Sequence, residues 1–254
     1  MAWSTTTWLE TQHHLGKTRD RVGALSYLIE AGYVPLEWQQ RLLLHQVEHP
    51  ALRTQGLAVC GLGAGKTDLG VWLIVLLAMC NPGMRGLVTS PTYDLLEHEI
   101  RERLSEAFDM MARARLPLVR RYHKTAMMFE LWSGGSIFLR SLSKIHNLRG
   151  RQFAYAWPDE IESTVNPGLV WDVLSGRVRQ RGAYMRQLFA TSTPRGLRGT
   201  IELFIQSRQR ARAAEARIID GVECIRVRVR GRDVWVPRAE VIRSWFTVRA
   251  TSED

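Results

Sequence analysis

Leu57-Ala58-Val59-Cys60 runs straight into Gly61-Leu62-Gly63-Ala64-Gly65-Lys66-Thr67, and a long apolar stretch, Asp68 to Cys80, follows. An apolar strand, a glycine-rich turn and a Lys-Thr pair opening a helix make the pattern of a phosphate-binding loop. Consecutive backbone N–H groups and the positive end of the helix cradle phosphate oxygens. Gly61, Gly63, Ala64, Gly65, Lys66, Thr67 and Asp68 are therefore the candidate nucleotide-binding residues. Lys66 would reach the β and γ oxygens of ATP, and the Thr67 hydroxyl would ligate Mg²⁺. The strict pattern has glycine where this chain has Cys60. A second Gly-Lys-Thr, Gly16-Lys17-Thr18, follows His13-His14-Leu15 with no strand before it and a single glycine, and is set aside.

Outward from the loop, apolar strands alternate with helical stretches. Arg19 to Ala31 reads as a helix ending at Gly32, and Pro35-Leu36-Glu37-Trp38-Gln39-Gln40 opens an apolar segment reaching Val47. Arg85 to Tyr93 reads as a strand leaving into a loop, and Asp94 to Ala114 has helical spacing. Ala126 to Leu142 reads as a hairpin about Ser133-Gly134-Gly135. Phe153–Trp157 and Gln187–Thr191 read as further strands. Helices are expected from Asn166-Pro167 to near Gln180 and from Thr200 to Ala214. This alternation predicts an α/β fold, a mainly parallel central sheet flanked by helices, with ligands at the carboxyl ends of the strands. The expected division is an N-terminal helical segment (1–34), a core (35–215) and a small β-rich, hairpin or lid-like extension (216–254). Ser244 to Asp254 shows no evident closing strand.

The chain has 254 residues, 35 basic against 25 acidic, and a net charge of +10, most of the excess being arginine. Such a field favours a polyanionic partner, nucleic acid being the commonest; the alternative is a charge serving solubility alone. The longest apolar stretch, Val71 to Cys80, is too short to span a bilayer, so no membrane partner is expected. The N-terminus lacks a basic-then-apolar export signal. Cys60, Cys80 and Cys224 lie far apart without paired metal spacing, which suits a reducing compartment.

Asp159-Glu160 closes an aromatic and apolar strand more than ninety residues after the loop. In a nucleotide hydrolase the two acids divide the work: Asp159 holds Mg²⁺ through water, and Glu160 polarises the attacking water. The alternative is an acidic pair favoured at a helix N-terminus. Glu162 reads as a neighbouring acid. Pro35…Trp38-Gln39, the loop, Ser90-Pro91-Thr92-Tyr93, Leu148-Arg149-Gly150, Asp159-Glu160 and Ala190-Thr191-Ser192-Thr193-Pro194 occur in an order that resembles the ATPase domain of tailed-bacteriophage large terminases.

That resemblance, spanning residues 30–200, implies a P-loop NTPase of the ASCE type using ATP and Mg²⁺. It implies that Gln39 reads adenine, that Trp38 packs nearby or anchors the core, and that Lys66 and Glu160 are catalytic. Arg149, eleven residues before Glu160, is implied to be an arginine finger inserted into a neighbouring subunit; locally it could equally satisfy a carboxylate or carbonyl. Thr191, Ser192 and Thr193 are implied to sense the γ-phosphate, or are ordinary strand-end caps. The implied activity is ATP-driven translocation of double-stranded DNA into a procapsid by a homo-oligomeric, pentameric ring. The implied partners are the portal protein and the small terminase subunit. The implied setting is the host cytoplasm, docked on the procapsid, and not the mature virion. Leu62 stands where many members carry arginine. Large terminases also carry a metal-dependent nuclease, but the residues after Gly196 are too few for that fold, and their acids do not cluster.

Arg113, Arg115, Arg120, Arg121 and Lys124 place five positive charges within twelve residues without an acid, suiting contacts to DNA phosphates or a solvated surface. Arg101 and Arg140 are weaker candidates. Arg226, Arg228, Arg230 and Arg232 alternate with Ile225, Val227 and Val229, either to grip nucleic acid or to protect an edge strand. Two other functions compete: a helicase-like DNA-dependent ATPase, for which a second lobe is missing, and a DNA-binding assembly subunit with a structural nucleotide site, which Cys60 and Leu62 favour.

Overall fold

The computed structural model describes residues 5–48, 52–143, 148, 150–194, 199–229 and 232–250. Helices α1 (Thr5–Thr18), α2 (Arg21–Glu30) and α3 (Glu37–Leu43) precede β1 (Thr54–Cys60), α4 (Lys66–Met79) and β2 (Arg85–Ser90). One helix follows, entered as α5 (Tyr93–Leu95), passing a π-helical turn (Leu96–Ile100) and continuing as α6 (Arg101–Arg113). Then come β3 (Val119–His123), β4 (Met128–Leu131), β5 (Ser136–Ser141), β6 (Tyr155–Pro158), α7 (Pro167–Arg177) and β7 (Gln187–Ser192). The chain closes with α8 (Thr200–Ala213), β8 (Ala216–Ile219), β9 (Val222–Val229), β10 (Arg232–Pro237), α9 (Arg238–Arg243) and β11 (Trp245–Ala250).

Among the described residues the main sheet runs β11-β1-β7-β6-β2-β5-β4-β3. From β11 to β5 every pairing is parallel; β4 and β3 extend the edge antiparallel. Strands β1, β7 and β6 are buried along their whole length, and β2 all but its first residue, as parallel strands with both faces covered must be. Along β1 the alternation sorts the side chains: Ala58 and Cys60 join the core under α1, α2, α4 and α6, while Leu57 and Val59 join the one under α7 and α8. Helix α4 lies at the centre and is apolar on nearly every side. It crosses β6 at Gly70, where a Cβ would stand 2.0 Å from the Trp157 ring, so any larger residue would force the helix off the sheet. No helix among the described residues is long and apolar enough to cross a membrane.

The mainly parallel sheet flanked by helices is as expected, and so is the small antiparallel sheet, β10-β9-β8. Four expectations are corrected. Residues 119–123 form the edge strand β3, where the sequence shows only a basic run. Residues 5–18 form a helix of their own, whose Trp8 and Leu15 are buried in the main core, with Trp8 Nε1 donating to the Pro117 carbonyl at 3.0 Å. Gly16-Lys17-Thr18 ends this helix. Residues 245–250 do form a strand: β11 pairs in parallel with β1 and belongs to the central sheet, not to a separate extension. Finally, β9 is the middle strand of its sheet, so Arg226 and Arg228 protect no edge. Arg232 lies on β10, and Arg230 is outside the described residues.

Candidate functional site

The loop after β1 is shaped by its glycines. Gly63 (φ +78°) and Gly65 (φ +77°) take the left-handed conformation, which costs an L-residue about 1–2 kcal/mol. Gly65 also has no room for a side chain: a Cβ would lie 2.8 Å from Gln39 Nε2. Ala64 is buried beneath the turn, while Leu62 is 80% exposed at its tip. Lys66 opens α4 and is only 7% exposed; its Nζ donates to the Gly61 carbonyl at 2.9 Å and stands 3.8 Å from Glu160 Oε1. Thr67 and Asp68 follow in the first turn of α4. Burial pushes the Asp68 carboxyl up, against the pull of Arg103 and a hydrogen bond from Trp72.

Gln39 is buried at 1% exposure and braces this loop. Its Oε1 accepts from Tyr33 Oη (3.1 Å) and from the Leu36 N–H (2.9 Å), and its Nε2 donates to the Gly65 carbonyl (3.0 Å). One of its two amide protons is thus committed to the loop. Trp38 is buried in the core beside it.

The acids arrive from β6, whose four residues are all buried. Strand β7 lies between β1 and β6, so loop and acids sit at the carboxyl ends of strands on either side of it. The Asp159 N–H donates to the Thr89 carbonyl at 2.8 Å, fixing the acid beside the end of β2. A relay runs through its side chain: Trp157 Nε1 donates to Thr191 Oγ1 (2.7 Å), and Thr191 Oγ1 donates to Asp159 Oδ1 (2.5 Å). Asp159 is 6% exposed. Burial pushes its carboxyl up to about 6, with Glu160 adding to the rise and Thr191 and Lys66 opposing it.

Glu160 itself holds φ +48°. Its Oε1 accepts from Thr193 Oγ1 (2.8 Å) and its Oε2 from the Thr193 N–H (3.1 Å), with Ser192 Oγ at 3.5 Å. Thr191, Ser192 and Thr193, the expected coupling segment, thus all touch the acid pair. Ser192 Oγ also accepts from the Glu162 N–H (3.1 Å), and Glu162 Oε1 accepts from the N–H of Thr200, the first residue of α8 (2.7 Å). Trp157 and the bond from Glu162 to α8 escaped the sequence reading, because both act across separations along the chain that no local pattern records.

Thr67 and Asp159 fit a magnesium ion. They are hard oxygen donors, and Asp159 is a buried carboxylate whose charge is disfavoured until a cation compensates it. Among the described residues no group of three or more His, Cys, Asp or Glu could hold a metal. A site completed by phosphates and water needs no such group.

The other expectations scatter. Arg149 lies outside the described residues. Arg113 and Arg115 are exposed at the end of α6 and Arg120 and Arg121 on β3, with Lys124 in the turn beyond. The patch is not free of acids in space: Glu130 of β4 pairs with Arg120 (3.1 Å) and His123 (2.8 Å). Arg120 also stacks over Trp132, its guanidinium carbon 5.7 Å from the ring centroid. Arg101 pairs with Glu97 and Glu102, and Arg140 donates to the carbonyls of Ala126, Met127 and Leu139, so both serve the local structure.

Residues 58–254 match the family model of the terminase large subunit, T4likevirus-type, N-terminal. The chain belongs to this family. The match runs past the motifs to the chain end and takes in β11, the strand the sequence reading missed. Several solved large terminases share the terminase fold seen here. The Thermus phage P74-26 large terminase ATPase domain is 18% identical, with a TM-score of 0.56, over 87% of this chain and 82% of that one. The HK97 bacteriophage large terminase is 11% identical, with a TM-score of 0.57, over 71% of this chain and 38% of that one. The large terminase of a thermophilic bacteriophage, in complex with ADP, is 17% identical, with a TM-score of 0.50, over 63% of this chain and 39% of that one. A search of curated proteins by sequence gave no match.

Proposed function

We propose that this terminase chain hydrolyses ATP with Mg²⁺ and couples the reaction to moving double-stranded DNA into a procapsid. The observation that carries this reading is the contact of Lys66 with Glu160, which brings phosphate loop and acid pair to one point. The amides of Gly63 to Thr67 and the Lys66 ammonium bind the β and γ oxygens. Thr67 and Asp159 hold Mg²⁺, which when bound neutralises charge on the phosphates. Glu160 takes a proton from water as its oxygen attacks the γ-phosphorus; the bond to the β-phosphate oxygen breaks, leaving ADP and phosphate. Gln39 turns its remaining amide proton to adenine.

Lys66 leaves Glu160 for the γ-phosphate on binding and returns on its release. Glu160 is tied to Ser192 and Thr193, and Ser192 through Glu162 to the start of α8, so that exchange reaches a helix beyond the site. A two-state element biased by the γ-phosphate is what a motor needs. Arg149 acts in a neighbour's site, within a homo-oligomeric ring on the portal, with the small terminase subunit as a further partner. The ring works in the host cytoplasm and leaves before the virion matures.

Mg²⁺-dependent ATP turnover against protein concentration tests this, with Glu160→Ala and Arg149→Ala beside the parent. Turnover per subunit should rise with concentration and vanish in both variants, with ATP binding kept. Turnover that ignores concentration and Arg149 would mean a self-sufficient site; turnover surviving Glu160→Ala would remove the assigned base.

A further inference from the structure

A cleft of about 750 Å³ opens at the opposite end of the sheet, walled by the residues that lead into β11, β1, β7 and β6. The C-terminal end of α7 forms one side, and β9 and α9 close another. Five arginines line it: Arg53, Arg179, Arg181, Arg186 and Arg228. None of the described residues that line it is acidic. It is distinct from the nucleotide site, since the loop and the acid pair lie at the carboxyl ends of β1 and β6.

Two features separate it from an ordinary solvated basic surface. Gln55 lines it at 6% exposure, and its Oε1 has no hydrogen-bond partner; Ser175 Oγ, also in the lining, is likewise unpartnered. Native proteins leave few buried polar atoms unsatisfied. Arg53, moreover, is pinned in place by donating to the Ser175 carbonyl. Burial, with Arg186 beside it, brings its guanidinium down to about 10, a cost that a bound anion removes.

We propose that this cleft binds the phosphodiester backbone of nucleic acid. The arginine cluster stands without the motor reading; the choice of nucleic acid over another polyanion rests on it. Guanidinium forks match phosphate oxygens two at a time, and contacts to the backbone carry no sequence information. Arg120 and His123 of the β3 patch pair with Glu130, whereas Arg179 and Arg181 of the cleft have no ion pair among the described residues.

Arg179 and Arg181 are exposed, so reversing both should leave the fold intact. Duplex binding by Arg179→Glu with Arg181→Glu is followed by fluorescence anisotropy at rising KCl. The salt slope should flatten by about 0.9 per lost phosphate contact, about 1.8 in all. A control pair of equal charge change away from the cleft, Lys17→Glu with Arg212→Glu, should leave the slope alone. An unchanged slope in the cleft variant, or an equal change in both, would overturn the proposal. So would a thermal shift by inorganic phosphate that the cleft variant loses while its duplex binding is kept, which would mark a small-anion site. ATP turnover is read in the same samples. A parent that neither binds nor turns over ATP at any concentration, yet whose slope still depends on Arg179 and Arg181, would sink the motor reading and keep the cleft.

Discussion

At the carboxyl ends of β1 and β6 the charges are matched: Lys66 faces Glu160, Thr193 donates twice to Glu160, and Thr191 donates to Asp159. At the amino ends of the same strands five arginines share a cleft, with no carboxylate among the described residues of its lining. The first arrangement is poised for a ligand that exchanges partners, as a hydrolysed phosphate must. The second is suited to a ligand that stays charged throughout and only has to be held. One sheet thus separates a site that must change state from one that must not, and the rigid parallel strands between them keep the two apart.

Substitutions at one end should therefore leave the other's readout alone. The largest effect is expected from Glu160→Gln, which should cut ATP turnover by about 10²–10⁴-fold, the usual worth of a positioned general base, with ATP affinity and the DNA salt slope unchanged. A slope that moves with turnover would mean that the two ends of the sheet are coupled.

Asp159→Asn sharpens it from the side of stability. The Asp159 carboxyl titrates at about 6 in the fold against 3.8 in the open chain, so the unfolded state holds fewer protons between those values. Its burial penalty is absent below pH 3.8, grows to about pH 6 and is complete above, worth about 3 kcal/mol. The metal-free variant should therefore outlast the parent in urea at pH 7.5 and lose that advantage near pH 4, while binding ATP with Mg²⁺ poorly. Equal melting differences at both pH values would mean that burial of the charge is not the cause.

Gly65→Ala should cost about 1–2 kcal/mol through its left-handed φ alone. It should also weaken ATP binding, because the new methyl group meets Gln39. Calorimetric melting and nucleotide titration check the two parts separately, and a variant as stable as the parent would show that the loop relaxes. The smallest effect belongs to the β3 patch. Arg121→Glu should flatten the DNA salt slope more than Arg120→Glu, since Arg120 is already paired with Glu130. The reverse order would restore Arg120 to the DNA-facing surface.

The phosphate loop and the acid pair were legible in the sequence because each makes a local demand. A left-handed turn needs glycine, a helix N-terminus needs Lys-Thr just behind it, and a buried strand ending in acids is a short pattern with few other uses. The order of these motifs carried the family, and the 2.0 and 3.6 periodicities carried the strands and helices around them. Strand β11 escaped although Phe246, Val248 and Ala250 alternate with Thr247 and Arg249; its place is decided by pairing with β1, and pairing is not written in one strand alone. The same holds for the Glu130 counter-charge, which a hairpin brings to Arg120 and His123. The arginine cleft is the extreme case. Arg53, Arg179, Arg181, Arg186 and Arg228 are spread over most of the chain; the parallel strands bring the first four to one end of the main sheet, and β9 adds Arg228 from the small sheet beside it. Local backbone and helix chemistry was thus determined by the sequence itself, while the meeting of distant charges was decided by the tertiary structure, because electrostatics depends on distance in space and a sequence records only distance along the chain.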